Sequence, residues 1–110
     1  MSTKTIQIPS TCQIASATLS KSGKNGLPQL VTWNANGHNT YTIALPYGYF
    51  TGYITPPPGQ TKFAITAANG GDSPTLTLDP NAPTGSMAYQ VSGGNCGTDE
   101  GAPADILVNP

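Results

Sequence analysis

Apolar and polar residues alternate with a period of two along most of this chain. "TKTIQIP" sets Ile6 and Ile8 against polar neighbours, a second run carries Cys12 and Ile14 and then Ala17 or Leu19, and "QLVTWNA" and "TYTIALP" flank "NGH". Phe63 and Ile65 alternate in "TKFAITA", Leu76 and Leu78 in "TLTLD", Met87, Tyr89 and Val91 in "SMAYQVS", and Ile106 and Val108 close the chain. Period two is the repeat of a strand with one buried face, and no segment keeps the stripe of an amphipathic helix. Gly, Pro, Asn and Asp punctuate the runs, and Pro9, Pro28, Pro46 and Pro74 fall at strand ends, where a missing amide donor does no harm. The pattern predicts an all-β fold, a single Greek-key β-sandwich of about seven to eight short strands, in one domain over residues 1–110.

One connection can be read more closely. A two-residue Asn36-Gly37 turn would set Thr40 opposite Trp33, whereas a three-residue loop with Gly37 in the left-handed region shifts the register so that Val31 faces Tyr41. The second register puts Trp33 on one apolar face with Ile43, and burying large apolar side chains is worth roughly 1.5–3 kcal/mol each. The residues therefore predict a bulged hairpin with Trp33 inward. Glycine-rich segments at 21–26, 69–73 and 93–101 read as ordinary interstrand loops. The stretch from Pro46 to Gly59, "PYGYFTGYITPPPG", is longer than a usual hairpin loop, and long loops are often functional.

Composition removes whole classes of function. Charged residues are 8% of the chain, arginine is absent and the net charge is -1, so Lys4, Lys21, Lys24 and Lys62 cannot form the basic patch a nucleic-acid binder needs. No run is long and apolar enough for a membrane-spanning helix. "MSTKTIQIPST" has no apolar core for a signal peptide, which fits either a cytosolic chain or a mature form carrying an added Met1. Localisation stays open, with an extracellular or periplasmic site favoured if a disulfide forms.

Two cysteines allow one intramolecular bridge, Cys12 to Cys96. Closing so long a loop is worth roughly 4–5 kcal/mol in the chain-entropy model, a large share of a small domain's stability. Two buried thiols, or a reactive Cys96 beside its glycines, are the other readings. Asp99 and Glu100 nearby would hold such a thiol protonated and blunt it. His38 reads as an exposed turn residue, because a nucleophilic triad needs partners that no G-x-S-x-G elbow supplies. Asp99-Glu100 lacks the ligand spacing of a calcium loop. The chain reads as non-enzymatic, with no cofactor.

The strongest binding candidate is aromatic. Tyr47, Tyr49, Phe50 and Tyr53, half of the chain's aromatic residues, sit in a Pro/Gly frame. Tyrosine offers a rigid face with a polar tip, suited to stacking on a sugar ring or anchoring a protein partner. The competing reading is that two or three of these rings cap the core beneath a crossover. "TPPPG" reads as a stiff polyproline segment.

"LVTWNANGHNTYTIAL" and "GSMAYQVSGGNC" followed by "ADILVNP" resemble the cupredoxin family, in which a Val/Trp strand runs into an Asn-rich turn with a histidine and a cysteine loop separates the last two strands. The resemblance covers residues 27–45 and 83–110 and implies a cupredoxin-like sandwich, with an immunoglobulin-like one as the alternative. It would make His38 the first copper-ligating histidine and Cys96 the thiolate. A blue-copper centre wants two His, one Cys and usually an axial Met. His38 is the only histidine, no Met follows Cys96, and Met87 lies inside a strand, so the resemblance is to the scaffold without its copper. The expectation is a metal-free binding or surface-interaction module, monomeric, with its contact surface on the 47–53 loop. A structural subunit of a surface assembly, pairing through edge strands such as 3–8, is the alternative, and a degenerate redox or metal protein comes third.

Overall fold

The computed structural model describes residues 3–22, 26–35, 39–68, 70–96 and 102–110, with backbone alone at Asn95. Its elements among the described residues include strands β1 Thr3–Ile8, β2 Ala17–Ser20, β3 Leu30–Ala35, β4 Thr40–Pro46, β5 Lys62–Ala68, β6 Leu76–Thr77 and β7 Gly85–Ser92, a 3₁₀ turn at Gly94–Cys96, and β8 Ala102–Asn109. The strands form two sheets, ordered β1-β3-β6 and β2-β8-β7-β4-β5. β1 runs parallel to β3 and β2 parallel to β8, and the remaining strand pairs are antiparallel. After the β4–β5 hairpin the chain returns to lay β6 beside β3, and then β7 beside β4, which is Greek-key connectivity spread over two sheets. An immunoglobulin sandwich places its first strand beside its second; here β1 lies beside β3.

Alternation decides which side chains enter the core. Tyr41, Ile43 and Leu45 of β4, Phe63, Ile65 and Ala67 of β5, and Met87, Tyr89 and Val91 of β7 point inward, while their neighbours face solvent. From the smaller sheet Ile6, Ile8, Val31, Trp33 and Ala35 meet them. Trp33 is fully buried, as its sequence context predicts; its ring meets Tyr89 edge-on with centroids 5.5 Å apart, and its Nε1 donates to the Tyr89 hydroxyl at 3.1 Å. This buried polar pair is satisfied, so it costs the core little. Burial raises the Tyr89 phenol above its ordinary pKa; the Trp33 hydrogen bond opposes that shift and the negative charge of Asp105 adds to it.

The hairpin expected over residues 30–46 does not form. β3 belongs to the three-stranded sheet and β4 to the five-stranded one, so Val31 pairs with Lys4 and Leu76, and Tyr41 pairs with Ala67. The turn residues 36–38, including Gly37 and His38, lie outside the described residues. The edge of β3 that a hairpin would have used is taken by the chain around 71–77. There the Ala35 amide donates to the Gly71 carbonyl at 2.9 Å and the Ser73 amide to the Trp33 carbonyl at 2.7 Å. Ser73 precedes Pro74, which has no amide hydrogen, and the Ser73 hydroxyl substitutes for backbone: it accepts the Trp33 amide at 2.9 Å, while Thr32 Oγ1 donates to the Ser73 carbonyl at 2.8 Å. Val31 and Trp33 therefore share a core with Tyr41 and Ile43 across the sandwich rather than within one sheet.

Candidate functional site

The segment 46–60 leaves β4, crosses to the smaller sheet and returns to β5. Its local shape is set by two turns. Phe50 to Tyr53 close a four-residue turn through the Tyr53 amide and Phe50 carbonyl at 2.9 Å, with Gly52 at φ 90° in the third position that type II geometry reserves for glycine. Pro57 to Gln60 close another at 3.1 Å, with Pro58 second and Gly59 third at φ 81°, so the prolines end in a turn rather than a continuous polyproline rod. At the first turn the segment is lashed to β6 and the two residues that follow it. The Thr51 amide donates to the Thr77 carbonyl and the Asp79 amide to the Tyr49 carbonyl, both at 2.9 Å, which brings Phe50 opposite Leu78.

This lashing sorts the four aromatic candidates. Phe50 is fully buried, which corrects its reading as a contact residue: backbone pairing to β6 turns its ring into the core, where it anchors the loop. Tyr47, Tyr49 and Tyr53 are half-buried and pack on the edge of the core. Tyr53 stacks on Phe63 with ring centroids 4.0 Å apart and planes 10° from parallel, and Tyr47 meets the same Phe63 at 5.3 Å and 56°. The Tyr47 hydroxyl donates to Gln60 Oε1 at 3.4 Å. Phe63 and Gln60 were not among the residues that the loop's sequence singles out. Phe63 lies in β5 directly opposite Leu45, so only the pairing of β4 with β5 reveals that it sits beneath the loop. Beside this ridge Ile54 is exposed.

The cysteines lie at the opposite end of β4. Cys12 and Cys96 stand as a disulfide pair with Cα atoms 5.3 Å apart. Cys96 closes the 3₁₀ turn, its amide donating to the Gly93 carbonyl at 2.8 Å, and that turn rests against the start of β4. The approach is close: a side chain on Gly93 would collide with the Thr40 carbonyl, and one on Gly94 would stand 2.8 Å from the Tyr41 ring. Cys12 adopts φ 60°, a left-handed conformation that costs a residue with a side chain about 1–2 kcal/mol. The copper centre that the cupredoxin resemblance would imply does not fit these residues. Cys96 is paired with Cys12 and offers no thiolate, and the Met87 side chain is enclosed in the core. Among the described residues no three His, Cys, Asp or Glu side chains gather closely enough to hold a metal ion; His38, Asp99 and Glu100 lie outside those residues. Among the described residues no helix is long and apolar enough to cross a membrane.

The fold and these two clusters define an all-β sandwich with a disulfide-linked turn near one end of β4 and an aromatic ridge at the other. No protein-family model, curated protein or solved structure matches the chain.

Proposed function

We propose that the chain is a non-enzymatic binding module on a cupredoxin-like scaffold without copper, and that its contact surface is the ridge formed by Tyr47 and Tyr53 over Phe63, with Tyr49 beside it. The pairing of β7 with β8 around the Cys96 turn supports the scaffold reading, because the resemblance places a cysteine loop between the last two strands. The observation that carries the functional reading is the stack itself. Phe63 holds Tyr53 at 4.0 Å and Tyr47 at 5.3 Å, so two half-buried tyrosines are fixed by packing before any ligand arrives. A rigid aromatic surface loses little side-chain freedom on binding, which favours affinity.

The ligand class that suits this ridge is a neutral carbohydrate. Tyrosine faces receive the apolar side of a sugar ring, and the Tyr47 hydroxyl and Gln60 amide supply uncharged hydrogen-bonding groups at the margin. An array of neutral glycans probed with the wild-type protein and with Tyr47→Ala and Tyr53→Ala tests the reading. Binding to at least one glycan is expected, falling about tenfold with either substitution, the loss of about 1.4 kcal/mol that one good ring contact represents. Glycan binding that both variants retain in full, or none at all, would overturn it.

A further inference from the structure

The sandwich is open along one side. Among the described residues β1 ends the three-stranded sheet and pairs through its β3 side alone, and β2 ends the five-stranded sheet. Between these two edges the chain from 12 to 16 runs irregularly, and among the described residues the backbone of 13–16 joins no strand. A groove of about 300 Å³ lies between the two edges. Its floor includes Ile6 and Ala17, core residues left 4% and 6% exposed, and its walls carry the amides of Gln7 and Gln13. Among the described residues Lys4 is the one ionic side chain that lines it, and the Asp105 carboxylate lies outside the lining, accepting a hydrogen bond from Ser16 at its margin.

We propose that this groove accepts an extended peptide strand of another protein, uncharged in its body and acidic at one end, which adds to the free edge of β1. Three features converge on that occupant. An edge strand presents a row of backbone donors and acceptors, a ready template for pairing with another extended chain. The floor of Ile6 and Ala17 receives small apolar side chains from alternate residues of such a strand, and the flanking glutamine amides meet its polar ones. The single Lys4 calls for a carboxylate at one end. A second copy of β1 does not match this, since it brings another Lys4 and no acid.

The test uses a synthetic peptide, acetyl-Glu-Thr-Val-Thr-Val-Thr-Val-amide, added to the isotope-labelled intact protein and followed by amide NMR. Resonances of residues 3–8 and 13–16 are expected to shift together, and N-methylation of the peptide is expected to abolish binding on one alternate set of amides only. Lys4→Glu, an exposed substitution, should weaken binding about two- to fivefold, the worth of one surface ion pair, and a peptide with Lys in place of Glu should recover it. The proposal fails if residues 3–8 do not respond at millimolar peptide, if a fully N-methylated peptide binds as well, or if the protein alone is a dimer with its β1 amides already protected from exchange.

Discussion

Replacing both cysteines, as Cys12→Ser with Cys96→Ala, removes a link between residues 84 apart in sequence. In the chain-entropy model a loop of that length withholds about 4.5 kcal/mol of freedom from the unfolded chain. Cutting the link also lets residue 12 relax from its left-handed φ of 60°, returning about 1–2 kcal/mol. The net loss is about 3 kcal/mol, against about 5–15 kcal/mol for a whole domain of this class. Equilibrium urea unfolding followed by tryptophan fluorescence is the assay, because Trp33 is fully buried in the folded state. With a slope of about 1–3 kcal/mol per molar, the midpoint should fall by about 1–3 M, and a thermal scan should lose roughly 10–15 °C. A second double variant, Cys12→Gly with Cys96→Ala, tests the strain contribution: glycine tolerates the left-handed φ, so its backbone need not rearrange. A midpoint unchanged on removing both sulfurs would refute the reasoning, since it would mean that the link restricts nothing the unfolded chain would otherwise explore.

Other parts of the account predict distinct outcomes. Gly93→Ala places a methyl group against the Thr40 carbonyl at φ 95°, so it should cost about 2–4 kcal/mol in the same urea assay, whereas an alanine at exposed Ser86 should change stability by less than about 0.5 kcal/mol. Phe50→Ala should cost about 3–5 kcal/mol as a core deletion, whereas Tyr53→Ala, from a half-buried ring, should cost clearly less while weakening glycan binding about tenfold. Tyr89→Phe should lose about 1–3 kcal/mol near neutral pH, because the Trp33 Nε1 hydrogen is left buried without its acceptor. Because burial makes the folded state hold the Tyr89 proton more tightly than the unfolded chain, the stability that comes from burying the neutral phenol is complete below the ordinary value of 10.0 and is lost as pH rises through the higher folded value. Alkaline unfolding should therefore be less steep in Tyr89→Phe than in wild type, and an identical pH dependence would count against the burial argument.

How far the residues disclose this molecule depends on what alternation encodes. Ile43, Met87 and Ile106 were legible as inward residues, because period two fixes the face a side chain takes whatever strand lies beside it. The partner strand is a different question. β3 and β4 both bury alternate residues, and that pattern satisfies a hairpin within one sheet as well as two strands facing each other across a core. What separates them is Ser73, whose hydroxyl and backbone occupy the edge of β3 from 40 residues away in sequence. The aromatic loop shows the same division. Its length and its tyrosines marked it as a candidate, but only the bonds from Thr51 and Asp79 to their partners across the loop–β6 contact send Phe50 inward, and only the β4–β5 register brings Phe63 under Tyr53. The cysteine pair was one of three readings from sequence, and geometry at 5.3 Å between Cα atoms selects the bridge.

The claim that most needs testing is that Tyr47 and Tyr53, fixed on Phe63, form the contact surface for a neutral carbohydrate. Aromatic carbon–proton NMR, with neutral oligosaccharides titrated into the intact protein, tests it most directly because each ring reports separately. The account predicts saturable, concerted shifts of the Tyr47 and Tyr53 ring signals, with the buried Trp33 and Tyr89 rings left in place. Silent Tyr47 and Tyr53 rings across the oligosaccharide series, or shifts confined to another face of the sandwich, would contradict it.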